Sequence, residues 1–474
     1  MGKINICLDW LEKNPLLFVL MLLMFHVGIS SLMYLTALWG FLPSLHNGAG
    51  QWLFAMDSFY YHDSAIHLVR ELRAGNFLVW WNGDAGHVHV KWIALSYWIL
   101  GDSSLSFELI NAPIWLLTVA SIWATSRLLF LESPRLAYVP AMFFGLLPSY
   151  LLHTTQLLKD PIYILGISLL MLGWVLLIQG RRRWGGTLLL AVGFFFVVSL
   201  RMYLLPLVLV VIACGLLYLL AVKQKGRYQV LVSLLAIVAV SYLLQTAAPN
   251  LPNAPSVANV LSAGGSTTPS AASDLSAGAS TTPSAGASTT PSAASNLSAG
   301  DSTTTSVALF GSISALMDKM VGALAGVRDG FARENINVGA KSQVDVDVAF
   351  HSYSDLVNYV PRALQVGFLS PFPNQWIEQG NAVGSVGRLI AGVETFFWYL
   401  LIVGSLLCLR YRSGMWVSLS MSIVLSILTV LLFTLVVTNV GTIYRMRMGY
   451  LMPFYILGVY GLYYTWSRYG PEKN

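Results

Sequence analysis

The stretch AMDSFYYHDSAIHLVRELRAGN, residues 55–76, packs two aspartates, two histidines and two tyrosines into positions 57–67. Carboxylates and imidazoles at that density suit proton transfer or cation binding. Read as a helix over 57–73, the stretch divides into two stripes. Asp57, Tyr61, Ala65, Leu68 and Leu72 share one; Asp63, His67 and Glu71 share the other. The first is apolar beyond its first turn and should pack, whereas the second is polar and should be wet. Asp57 heads the packed stripe, where a carboxylate serves either as a base or as an N-terminal helix cap.

The elements that must position these residues are membrane helices. The chain has 474 residues, of which 56% are hydrophobic and only 10% charged. A soluble chain of this length would carry roughly a quarter charged residues. Several apolar runs reach the ~20 residues a bilayer crossing requires. The expected fold is an all-α polytopic membrane protein, whose spans are helical because backbone groups in lipid must be satisfied internally. About ten spans are expected, at 15–38, 106–130, 136–152, 161–179, 187–200, 204–222, 228–246, 388–409, 414–437 and 449–466. The first is too long for a signal-peptide core and reads as a retained anchor. Cys7, Cys214 and Cys408 suggest no disulfide or metal framework.

With both termini in the cytoplasm, the compact basic clusters fall inside: Arg181–Arg183, Lys223 to Arg227, Arg410 and Arg412 among them. The net charge of +6 therefore reads as orientation, not as a nucleic-acid surface. Arg201, Arg445 and Arg447 break the rule by falling outside, so they face something other than plain lipid or anchor to headgroups. Two long segments also fall outside. One is the loop 40–105. The other begins with a Ser/Thr/Ala/Pro repeat tract over 247–306, expected to be disordered, and continues as a cap over 307–387. The expected organisation is a membrane core at 1–246, the tract, the cap, and terminal spans at 388–474.

Other candidates carry two readings each. Asp160, in Lys159-Asp160-Pro161, is a second acidic candidate and also a good helix start. Asp84, His87 and His89, with Asp57, would be the ligands of a divalent ion. His-x-His alone falls short of the three or four converging groups a metal needs, so no cofactor is assigned. No Ser–His–Asp set, Gly-rich phosphate loop or zinc spacing stands out.

Asp57-Ser-Phe-Tyr-Tyr61, followed by Ala65, Arg70-Glu71-Leu72 and Gly75-Asn76, sits in the first outside loop after the first span. This resembles the GT-C superfamily of membrane glycosyltransferases. The nearest branch is the family 39-like one, holding protein O-mannosyltransferases, aminoarabinose transferases and bacterial polysaccharide-modifying enzymes. The resemblance extends through HVHVKWIALSYW (87–98), the run 106–130 and the run 147–172, and covers about the first 240 residues. It implies that Asp57 is the catalytic carboxylate, that Tyr61 belongs to the same motif, and that Lys91 matches a family lysine. The acidic and proline neighbours of that lysine are missing here. A second carboxylate near Asp160 is also a feature of the family.

The implied reaction moves a sugar from a polyprenyl-phosphate donor to an acceptor hydroxyl of a glycan, lipid or protein, on the extracytoplasmic face of a bacterial inner membrane. In this expectation Asp57 is the base of an inverting displacement. Lys91, Arg201, Arg445 and Arg447 hold phosphate, while Tyr61 and His62 shape the pocket. The rival readings are a polymerase or ligase of undecaprenyl-linked glycans and a non-enzymatic carrier. A carrier would call for titratable residues within spans or for internal repeats.

Overall fold

The computed structural model describes residues 13–82, 87–221, 227–247, 302–337, 339–378 and 384–469. Among them the regular secondary structure is all helical, and the only β pairings are the isolated bridges His46–Trp52 and Gln343–Asn439. The first long helix is α1 (Pro15–Leu38). The loop after it holds α2 (Asp57–Arg73), α3 (Phe77–Asn82) and α4 (Val88–Leu100). Next come α5 (Glu108–Leu129), α6 (Tyr138–Gly145), α7 (Pro148–Thr154), α8 (Asp160–Ile178), α9 (Arg183–Leu200), α10 (Leu205–Ala221) and α11 (Arg227–Ala247). The C-terminal half holds α12 (Ser302–Asn337), α13 (Tyr353–Leu369), α14 (Gly384–Tyr411), α15 (Ser413–Ser418), α16 (Ser420–Val436), α17 (Val440–Arg447) and α18 (Met452–Tyr469).

Six of these segments are long and apolar enough to cross a bilayer: Pro15–Leu38, Ser104–Leu129, Asp160–Ile178, Arg183–Leu200, Met202–Ala221 and Gly384–Tyr411. The pair α6 and α7 makes a seventh if its 65° bend lies within one span. The chain is thus an α-helical multi-pass membrane protein. The other segments expected to span are helices too, but they fall short by length or composition. Helices α15 and α16 break at Leu419, and α18 carries several tyrosines with Ser467 and Arg468. Of the repeat tract and Asp84, residues 248–301 and Asp84 itself lie outside the described residues. Residues 302–306 already belong to α12.

Two packing features position the charged residues singled out in the sequence. The first is the antiparallel hairpin of α8 and α9. A Cβ added to Gly193 would lie 2.6 Å from the Gly166 carbonyl oxygen, and one on Gly173 would lie 2.8 Å from that of Gly186. These facing glycines let the two backbones touch, as small residues do between membrane helices. A hairpin that tight returns Arg201, just past the end of α9, to Asp160 at the start of α8.

The second is a small core beneath the first loop. Tyr61, Ala65, Leu68 and Leu72 of α2 pack with Val90, Ile93, Ala94 and Tyr97 of α4 and with Leu157 and Leu158. The expected apolar stripe is therefore the buried one. Because Leu157 and Leu158 insert into this core, the segment leading to Asp160 is held in register with α2.

Helix α1 depends on polar contacts, since most of its surface is exposed and apolar. Leu22, His26, Ser30 and Ala37 are its buried residues. His26 Nδ1 lies 2.9 Å from Glu108 Oε2, its Nε2 lies 2.8 Å from Thr154 Oγ1, and Ser30 donates to Glu108 Oε1 at 2.8 Å. Removing either His26 or Glu108 would strand the other in a dry site. We predict that the single variants His26→Leu and Glu108→Leu both destabilise the protein, and that the double variant does so by less than their sum. The coupling should be about 1 kcal/mol by detergent-titration unfolding, as for hydrogen bonds between membrane helices. Strict additivity would mean that the network does not hold α1.

Candidate active site

Asp57 is the first residue of α2, preceded by Met56, and no side chain caps this helix. Asp160 is likewise the first residue of α8, with Lys159 before it and Pro161 after, and again no side chain caps the helix. Neither carboxylate makes a capping hydrogen bond, although each sits in a first turn where the helix dipole favours its charge. Instead, Arg445 joins them. Its Nη2 donates to Asp57 Oδ2 at 2.5 Å and its Nε to Asp160 Oδ2 at 2.6 Å. The other Asp160 oxygen accepts from Arg201 Nη2 at 3.0 Å. Arg201 lies over the Tyr163 ring, 4.4 Å from its centroid, and donates to the Tyr203 hydroxyl at 3.3 Å.

Four charges from four separate helix ends thus form one chain, Asp57–Arg445–Asp160–Arg201. All are largely withdrawn from solvent, with the Asp57 side chain 14% exposed and the Arg445 side chain 22%. Burial disfavours the Arg445 charge, but Asp160 and Asp57 outweigh it and hold the guanidinium well above its ordinary value. Removing one member of such a chain would strand a buried charge, at a cost of about 3–5 kcal/mol.

The arginine reaches this place on a strap fixed at both ends. Tyr444 donates from its hydroxyl to Glu394 Oε2, and Glu394 Oε1 accepts from the Ser149 amide at 2.6 Å. Three residues after Tyr444, Arg447 donates to the Gly367 carbonyl at 2.5 Å and to the Ser370 carbonyl. Arg447 is 2% exposed. The structure thus separates two arginines that the sequence grouped together. Residues two apart on a helix point to different faces, so Arg445 enters the cluster while Arg447 anchors the strap.

The remaining candidates divide similarly. Tyr61 is buried beside the cluster, its ring edge-on to His89 at 4.3 Å and to His87 at 5.4 Å. Burial, with Asp57 next to it, pushes its phenol far above the usual value, so it stays neutral. His62 turns instead to α4, with Nδ1 2.7 Å from the Tyr97 hydroxyl. Lys91 donates to the Trp81 carbonyl at 2.5 Å, where α3 meets α4. His87 and His89 lie 5.8 Å apart between ring centroids. Among the described residues no three His, Cys, Asp or Glu side chains converge as a metal set.

The residue that sequence reasoning passed over is Lys159. It appeared only as the neighbour of a supposed cap. In the fold it adjoins Asp160 and lies within the fields of Arg201, Asp57, Arg445 and His89. Burial, reinforced by the Arg201 charge, lowers its ammonium to about 8. Below that value three cations face two carboxylates, and the cluster carries one excess positive charge in a poorly solvated place. Such a site favours an anion.

The sign of the pH effect depends on which of these groups titrates. Arg201 and Arg445 stay charged throughout, and His89, lowered by burial and by His87, stays neutral above its depressed value. Lys159 alone loses charge as pH rises through about 8. We predict that the rise in Tm produced by sulfate, a dianion that does not titrate in this range, falls by more than half between about pH 7 and about pH 9. Lys159→Arg should flatten that dependence. An unchanged pH profile in Lys159→Arg would remove Lys159 from the site.

Compared with known proteins, the chain matches no family model, no curated protein and no solved structure. The chemistry of the cluster itself therefore carries the functional reading.

Proposed function

We propose that this chain is a glycosyltransferase of GT-C type in a bacterial inner membrane, with about ten spans and with the cluster on the extracytoplasmic side. It would take a sugar from a polyprenyl-phosphate donor and pass it to an acceptor hydroxyl. One observation carries the reading: two carboxylates, Asp57 and Asp160, are assembled with Arg201, Arg445 and Lys159, leaving one excess positive charge. The sequence resemblance independently favours Asp57 as the catalytic carboxylate.

The chemistry requires those charges. The donor phosphodiester carries one negative charge, and the departing polyprenyl phosphate gains a second as the sugar–oxygen bond breaks. Cations already in place favour that developing charge and need no reorganisation. In the resting site Arg445 is paired with Asp57. When Arg445 turns to the donor phosphate, the Asp57 carboxylate is released from it and can accept a hydrogen bond from the acceptor hydroxyl. Asp57 then takes the proton of the acceptor hydroxyl. The acceptor oxygen attacks the anomeric carbon from the face opposite the phosphate, and the bonding pair leaves with the phosphate oxygen. Asp160 keeps Arg201 and Arg445 in place, and Tyr61 walls the pocket as a neutral phenol.

The test is the mass profile of surface glycans and lipid-linked sugars in three strains: wild type, deletion, and Asp57→Asn at matched membrane abundance. We predict that both altered strains lose one sugar from an otherwise intact acceptor and accumulate the charged donor. Loss of chain-length ladders instead would indicate a polymerase or ligase. Wild-type glycans in Asp57→Asn would overturn the base assignment and favour a carrier.

A further inference from the structure

The opposite end of α8 borders a second site. The helix has 19 residues, so its C-terminus lies about 28 Å from Asp160. There a groove of about 310 Å³ opens between the ends of α5 and α8, the short helix α15, and α18. Its walls are apolar, with Leu128, Leu131 and Met415 among them, and its polar groups include Glu132, Arg412 and Tyr460. Arg412 donates to Glu132 across the groove, joining the end of α14 to the turn after α5.

Stability gives little reason for this pair. Its side chains are 41% and 61% exposed, and exposed pairs contribute about 0–1 kcal/mol. What the pair does is set opposite charges on the two lips of an apolar groove. The groove lies where apolar membrane helices end, and Leu131 on its lip is 65% exposed. Arg181, Arg182, Arg183 and Arg410 sit at the same helix ends. A groove so placed opens at the level of lipid headgroups.

We propose that it binds a zwitterionic phospholipid with a primary ammonium, of the phosphatidylethanolamine type. The phosphate would take Arg412, the ammonium would donate to Glu132, and the acyl chains would run down from Leu131. A purely anionic headgroup would leave Glu132 unpaired and repelled. A quaternary choline has no hydrogen to donate to it. This site is independent of the transferase reading, because none of its residues belongs to the cluster around Asp160.

The test uses the purified full-length protein in detergent, titrated with phosphatidylethanolamine, phosphatidylglycerol or phosphatidylcholine and read by native mass spectrometry. Phosphatidylethanolamine should be retained about fivefold better than the other two, as expected if one well-placed ion pair is worth about 1 kcal/mol. Arg412→Gln and Glu132→Gln should each abolish the preference. Gly414→Trp gives a second, steric test. Gly414 lines the groove, and a Cβ there meets nothing within 4 Å, so a bulky side chain can be introduced at the groove wall without a clash at its Cβ. It should abolish the preference as well. Equal retention of the three lipids by the wild type, or full preference in Gly414→Trp, would overturn the proposal.

Discussion

The guanidinium of Arg445 holds two carboxylates that approach from different parts of the chain, and the geometry around it follows from that demand. Asp57 arrives on α2 and Asp160 on α8, and each accepts a hydrogen bond from a different nitrogen of the same group. Planarity of the guanidinium fixes the directions of both bonds. Errors of an ångström in α2, α8 or α17 would break one of them. The facing glycines of α8 and α9, the core that holds Leu157 and Leu158 under α2, and the anchored ends of the 444–447 strap all serve that tolerance. Ion pairing of this kind is a poor source of stability when buried. Its persistence in a costly place is better understood as preparation of charges for a ligand.

Ionisable groups inside the bundle fall into two kinds. His26 with Glu108, and Glu394 with Tyr444, are paired with each other or with neutral donors, and they tie helices together. Arg328 belongs here too: it is 1% exposed and donates to the Val348 and Leu435 carbonyls, joining the α12 segment to the end of α16. The cluster of Asp57, Asp160, Arg201, Arg445 and Lys159 differs because it joins several charged groups of both signs directly to one another.

Much of the fold was legible because the physical signal was strong. Long apolar runs revealed the helices, and the stripe Tyr61–Ala65–Leu68–Leu72 showed which face of α2 packs. Arg201 and Arg445 stood out because the topology expected from the sequence puts them where orientation rules place few cations. The breaks were harder to read. The bend between α6 and α7 falls at Gly145 and Pro148, and the interruption at Leu419 falls between Ser418 and Ser420; a hydropathy average over a span-length window passes over both. Arg447 could be told from Arg445 only once 440–447 was known to be a helix. Lys159 was hidden because Lys-Asp-Pro reads locally as a helix start, and its value depends on Arg201, which arrives through the return of the α8–α9 hairpin. The groove at Arg412 joins residues 280 positions apart, so no local pattern announces it.

The proposed competition between Asp57 and a donor phosphate for Arg445 is tested most directly by a binding measurement. Its readout is the affinity of purified protein for farnesyl phosphate, a soluble prenyl monophosphate, in wild type, Arg445→Gln and Asp57→Asn. Arg445→Gln should weaken binding by about tenfold or more, the loss of one charge-assisted contact. Asp57→Asn should bind at least as tightly as wild type, because it frees the arginine from its competitor. If Asp57→Asn instead weakens binding as severely as Arg445→Gln, the carboxylate and the arginine form a structural clamp, and the competition is contradicted.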